Sequence, residues 1–313
     1  MHDTAAQDRR RSLPALALAC ALVALGGLGV CLPASAAGAL ERAKASGKLT
    51  IGYSTDAAPY ASADASGNPT GFAIALCTKV GDAVKNELKM PTLAVSFVSL
   101  QRDEAVAAVG QGKVDLLCGV VPTLERRAVA DFSIPVILGG TTAAVRKDAP
   151  VRVMQALSGH EPKGQANWRG STDQAPQRGV IAVIGNTVLE KGLADRLKER
   201  RINVSIVTVK DAAAGLQLLS ERNADAFFAD RALLLEAVGR SKSPSDVTVL
   251  DRLYRRDLAA LGVQRGDDDF RLVVDRTLSH LFRSNEINTI YSSYFGAPTP
   301  QQQDFYQLVA IPD

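Results

Sequence analysis

The sequence predicts an α/β protein made of two similar lobes, each a parallel sheet covered by helices. Three observations carry this. Runs that are apolar throughout, such as VDLLCGV at 114–120, alternate with runs of helical spacing. Strands apolar on both faces belong to parallel sheets enclosed by helices. The same alternation begins again after residue 178, and AVAAVGQGKVDLL shares its plan with AGLQLLSERNADAFF: helix, polar turn, then an aspartate opening an apolar strand.

KLTIGYS (48–54) is a strand by its β-rich run, and Pro59 and SGNPTG (66–71) are turn signals. FAIALCTKVGDAVKNEL (72–88) has helical spacing of its apolar residues. LAVSFVSL (93–100) is a strand, RDEAVAAVGQG (102–112) a helix ending at glycine, and 114–120 the apolar strand. In the second half, strands are expected at 178–185, 203–209 and 224–230, and helices at 188–200, 211–223 and 231–239. Residues 160–178, polar and rich in Gly and Pro, read as an exposed loop in which Trp168 packs locally. Residues 270–295 read as two helices, and PTPQQQ (298–303) as an exposed terminal extension.

Composition bounds the function. Hydrophobic residues make up 46% and charged residues 22%, values of an ordinary soluble protein. The net charge of +3 comes without a basic stripe, which argues against nucleic acid as a partner. Arg9, Arg10 and Arg11, the apolar run 13–32 and Ala34-Ser35-Ala36 form a cleavable leader over residues 1–36, so an exported, periplasmic protein is expected. Cys20 and Cys31 leave with it. Cys77 and Cys118 remain, either as a disulfide suited to an oxidising compartment or as two buried thiols. His160 and His280 stand apart from any cysteine or spaced carboxylate, so no metal site is expected. No P-loop, nucleophile elbow or other cofactor motif appears, and none is expected to be needed.

Ligands gather at the carboxyl ends of strands in such sheets. After 114–118 comes GVVPTLER, where Thr123 can cap a helix and Arg126 lies in its first turn. A cation is disfavoured there unless an anion faces it. Arg126 therefore either grips a ligand carboxylate or forms a surface ion pair with Asp131 or Glu125. After 180–184 comes GNTVLE, in which Thr187 and Glu190 fit a capping box. After 224–228 comes Asp230, which either caps the next helix or pairs with an ammonium group. One cationic anchor, one hydroxyl and one anionic anchor suit an α-amino acid zwitterion. Asp115 and Asp225 open their strands, far from a cleft, and read as structural.

At this point the chain resembles the periplasmic solute-binding proteins of polar amino acid ABC transporters, the bacterial extracellular solute-binding proteins of family 3. The resemblance rests on LTIGYSTDAAPY, GNPTGFAIAL, GKVDLLCG, TLERRAVADFSIP, the GNT turn, NADAFFAD and GDDDFRLVVDRTLSHLFRSNEINTIYSSYFG. It implies a bilobed, type II periplasmic-binding-protein-like fold with a two-crossing hinge, near Gly139 and Gly140 and near 250–260. Lobe 1 would span 37–142 and 251–300, lobe 2 143–250, and 301–313 would be an extension. It also implies that Arg126 and Thr187 hold the α-carboxylate of an amino acid or similar carboxylate, and that Asp230 holds its ammonium. Tyr60, Thr123 and Asn186 are further ligand-binding candidates. A monomer that delivers ligand to an inner-membrane permease, and is not an enzyme, follows from the resemblance.

The chain departs from the family pattern in four places. Ala57 stands where an aromatic platform is common, Ala73 and Ala75 where acids are, and Val121 where a Ser or Thr helps the carboxylate. Arg255-Arg256-Asp257 replaces Glu-Pro-Tyr. The bond lost at Val121 is worth ~1.5–3 kcal/mol. Two rival functions fit the same fold: a dehydratase acting on prephenate or arogenate, and a protein-binding accessory or sensor without a small ligand.

Overall fold

The computed structural model describes residues 37–158, 179–199 and 204–313. The leader expected over 1–36 and the loop expected over 160–178, with His160 and Trp168, lie outside the described residues.

The chain opens with α1 (Ala39–Ser46) and β1 (Lys48–Tyr53), followed by three short strands, β2 (Asp56–Ala57), β3 (Ala61–Ala63) and β4 (Pro69–Thr70). Next come α2 (Phe72–Glu87), β5 (Ala94–Ser99), α3 (Ala105–Gly110), β6 (Leu116–Val120), α4 (Leu124–Arg127), β7 (Ala130–Phe132) and β8 (Ile137–Arg146). The second half holds α5 (Val151–Ser158), β9 (Gly179–Ile184), α6 (Val188–Glu199), β10 (Val204–Val209), α7 (Ala212–Ser220), β11 (Ala226–Asp230), α8 (Arg231–Gly239) and β12 (Val247–Val249). It closes with β13 (Arg255–Gln264), α9 (Asp268–Arg283), α10 (Glu286–Phe295) and α11 (Pro300–Val309).

The main sheet runs β10-β9-β11-β8-β13-β6-β1-β5, with β12 on β8 and β7 on β13. Its two outer thirds are parallel, β5/β1/β6 and β10/β9/β11. The long strands β8 and β13 join them. They pair antiparallel from Arg255↔Thr141 to Ala259↔Ile137, so that Gly139 faces Asp257 and Gly140 faces Arg256. Beyond that stretch β8 pairs with β11, and β13 with β6 and β7. Each long strand thus begins in one half of the sheet and ends in the other.

The matching aspartates explain the internal repeat. Asp115 donates its amide to the Thr50 carbonyl at 2.8 Å, and its carboxylate accepts the Thr50 amide at 2.8 Å. Asp225 does the same with Val180, again at 2.8 Å in both directions. Each aspartate is a clamp that sets the register of two parallel strands where they begin. Asp115 is 6% exposed and also accepts two bonds from the Arg42 guanidinium. Asp115→Ala is expected to cost about 3 kcal/mol by urea denaturation, because it removes an ion pair of Arg42 and leaves the Thr50 amide without its acceptor. Asp225→Ala, without an ion pair, is expected to cost about 1 kcal/mol.

Lobe 1 packs α2 and α9 against the sheet around Phe72, Phe270 and Phe282, all fully buried. Cys77 of α2 and Cys118 of β6 are joined there by a disulfide. The second lobe packs Phe227 against Leu219 and Leu234. The extension expected over 298–303 is exposed at Thr299, Pro300, Gln301 and Gln303, but it also opens a helix that packs on the first lobe. Thr299 caps α11 by accepting from the Gln302 amide, and Gln302, Phe305 and Tyr306 are buried. The polar start PTPQQQ hides an amphipathic helix whose apolar face comes one turn later.

Candidate functional site

The loop after β6 carries the first candidates. Thr123 caps α4, its hydroxyl accepting from the Arg126 amide at 3.1 Å. The Arg126 guanidinium, half-buried, donates to the Val121 carbonyl at 2.8 Å. It forms no ion pair among the described residues. Asp131 accepts instead from the Gly266 amide, and Glu125 pairs with Lys191 of α6 at 3.1 Å. The surface ion pair that the sequence left open is therefore not formed. Burial pushes the Arg126 pKa down, Glu125 opposes this, and nearby Arg102 adds to it. The helix-dipole argument for Arg126 is corrected: α4 is four residues long, so its first turn is also its last. What isolates Arg126 is its want of a carboxylate.

Arg102 was missed. It lies three residues past the end of β5 and donates to Asp56 at 2.6 Å, beyond the carboxyl ends of β5 and β1. The rule that ligands gather at strand ends pointed there too, but the run RDE read as the start of a helix that begins only at Ala105. Arg255 was seen only as a departure. It pairs with Asp257 at 2.6 Å and stands 3.3 Å from where a Cβ on Gly192 of α6 would lie. Its guanidinium thus borders α6.

In the second lobe Thr187 and Glu190 form the expected capping box. The Glu190 amide donates to the Thr187 hydroxyl at 3.2 Å, and the Asn186 amide to the Glu190 carboxylate at 2.9 Å. The Thr187 hydroxyl donates its proton to the Ile184 carbonyl at 2.7 Å. In this arrangement Thr187 acts as a cap and has no proton for a ligand; Asn186 offers only its side chain.

Asp230 ends β11 and caps α8, accepting from Ala232 at 2.9 Å and Leu233 at 3.4 Å. It also accepts from the Gly140 amide at 3.1 Å and from the Tyr60 hydroxyl at 2.9 Å. A Cβ on Gly139 would lie 2.7 Å from its carboxylate, so the crossing strand comes this close only as glycine. Burial raises the Asp230 pKa, and these four donors pull against that. Burial, then Asp230, holds the Tyr60 pKa well above the ordinary phenol value. Tyr60 is not an open platform. Its ring packs on Phe295 at 5.5 Å and its hydroxyl is spent on Asp230.

The structure thus joins Tyr60 to Asp230, Thr123 to Arg126, and Asn186 to Thr187 through Glu190. Among the described residues no hydrogen bond joins Arg126 to Thr187 or Asp230; Glu125 and Lys191 alone pair α4 with α6. A cavity of about 500 Å³ lies beside Tyr60 and Asp230, and one of about 1150 Å³ runs from Asp56 along α7 and α8. Arg126 and Thr187 line neither. Among the described residues no group of three His, Cys, Asp or Glu stands where it could hold a metal ion, and no helix is long and apolar enough to cross a membrane.

Comparison places this geometry among known proteins. An L-glutamate/L-aspartate-binding protein of Pseudomonas aeruginosa is 28% identical over 265 residues, 84% of this chain and 82% of the relative. Of solved structures, the cysteine-binding protein of Campylobacter jejuni aligns with a TM-score of 0.64 at 20% identity, covering 86% of this chain and 98% of that one. An ancestral amino acid-binding protein, a precursor of cyclohexadienyl dehydratase, aligns at 0.63 and 23% identity, covering 83% and 100%. These likenesses establish the fold, the bilobed type II arrangement of periplasmic binding proteins. The bacterial extracellular solute-binding proteins, family 3, match residues 49–297, from β1 past α10. Both crossing strands and most of the sheet fall inside that match, and the chain belongs to the bacterial extracellular solute-binding proteins, family 3.

Proposed function

We propose that this protein captures an amino acid between its lobes, 37–142 with 251–300 and 143–250, and delivers it in the periplasm to an ABC transporter permease. The observation that carries the reading is Arg126, a half-buried guanidinium with one backbone bond and no carboxylate. A bidentate carboxylate satisfies such a group best. The first turn of α6, which Thr187 caps, would meet the same carboxylate from the second lobe through its backbone, and Asp230 would take the ammonium. The relative named for L-glutamate and L-aspartate supports the same class. Binding rather than turnover is the proposed role.

The test is calorimetric titration of the protein without its leader against the common amino acids, L-glutamate and L-aspartate first. Arg126→Ala is expected to weaken binding about 100-fold while leaving the fold intact. Equal affinity in that variant, or no ligand at all, would overturn the reading. Product formed from prephenate or arogenate would move it to the dehydratase.

A further inference from the structure

Oδ1 of the Asp230 carboxylate has no acceptor position to spare. Oδ1 takes the Ala232 and Leu233 amides and the Tyr60 hydroxyl, at 2.9, 3.4 and 2.9 Å; Oδ2 takes the Gly140 amide at 3.1 Å. An ionised carboxyl group offers about four such positions. Three donors are backbone amides, fixed by α8 and the crossing strand β8. The fourth is a side chain, and it comes from the first lobe. Rotation of one residue releases it. Next to Tyr60 lies the cavity of about 500 Å³, lined also by Tyr291, Tyr294 and Gln302.

We propose that Tyr60 is a latch between the lobes and an internal competitor of the ligand: its hydroxyl holds the position on Asp230 that a ligand's ammonium group takes. This rests on the amino acid reading above and refines it. Ligand entry exchanges a neutral donor for a cationic one, which a buried carboxylate prefers. The exchange is open only to ligands that bring an ammonium group. A carboxylate without one leaves the latch shut. Tyr60 therefore holds down the preference for amino acids over their des-amino analogues without touching either compound.

The test compares the wild-type protein with Tyr60→Phe by calorimetry, using L-glutamate and glutarate, the same chain without the ammonium group. Removing the competitor is expected to raise the glutamate-to-glutarate affinity ratio about tenfold. An unchanged or lower ratio overturns the proposal. Binding of neither compound to either protein would sink the amino acid reading. The latch is then decided in the ligand-free protein by a denaturation cycle of Tyr60→Phe and Asp230→Asn. Coupled losses uphold the contact across the lobes, and additive losses overturn it.

Discussion

Gly71→Ala is expected to lower the unfolding free energy by about 4 kcal/mol and the melting temperature by about 10 °C. Gly71 precedes α2 at φ +128°, a conformation that side chains avoid. A Cβ there would lie 2.4 Å from the Tyr60 carbonyl oxygen and 2.9 Å from the Ala61 Cα. Neither is the end of a flexible side chain, so backbone must move. The closeness has a purpose. No side chain caps α2. Its first amides donate to backbone instead, Phe72 to the Pro59 carbonyl at 3.0 Å and Ala73 to that of Tyr60 at 2.8 Å. The same glycine therefore caps a core helix and positions Tyr60. Circular dichroism during heating reads the stability, and a loss under about 2 °C would contradict the account.

Reducing the disulfide, or changing Cys77 and Cys118 to serine, is expected to cost about 4 kcal/mol, again about 10 °C. The bond closes a loop of sequence separation 41, whose freedom in the unfolded chain it removes. Both cysteines are buried, at 0% and 3% exposure, so serine would also bring unpaired hydroxyls into the core. Cys118 lies on β6, just before the loop that carries Arg126. Unfolding with and without reductant measures the loss. Matching midpoints would show that the bond does not constrain the unfolded chain.

The parallel thirds of the sheet were legible because their strands are apolar on both faces and alternate with helical spacing. The two long strands were not. ILGGTTAAVR has glycines at the crossing, and RRDLAALGVQ opens on three charged residues that pair across the hinge region rather than face a core. Neither shows a period of two, and the one apolar run, LAALGV, begins only after those charges; the resemblance alone marked the crossings near Gly139, Gly140 and 250–260. At the site, Thr187 and Asp230 were legible as caps because capping is local in sequence. Arg102 and Arg255 were not, because Asp56, the partner of Arg102, and Gly192, beside Arg255, are brought near only by the fold. Tyr60 was placed near a ligand by its position, but its bond to a residue 170 positions away left no mark in the sequence.

The place of β13 has a consequence for how the chain comes together. It lies between β6 and β8, yet follows both in the sequence. The strands β8, β9, β10 and β11 come from one continuous stretch, so the second lobe can close while the rest of the chain is still being made. The first lobe cannot. Its sheet waits for residues 255–264, and its core for α9 and α11, which supply Phe270, Phe282 and Tyr306. Until then the edge of β6 stands open, with amides and carbonyls ready to pair with another chain. Assembly is therefore ordered, second lobe before first, and a chain cut short of β13 is an aggregation hazard rather than a smaller binding protein.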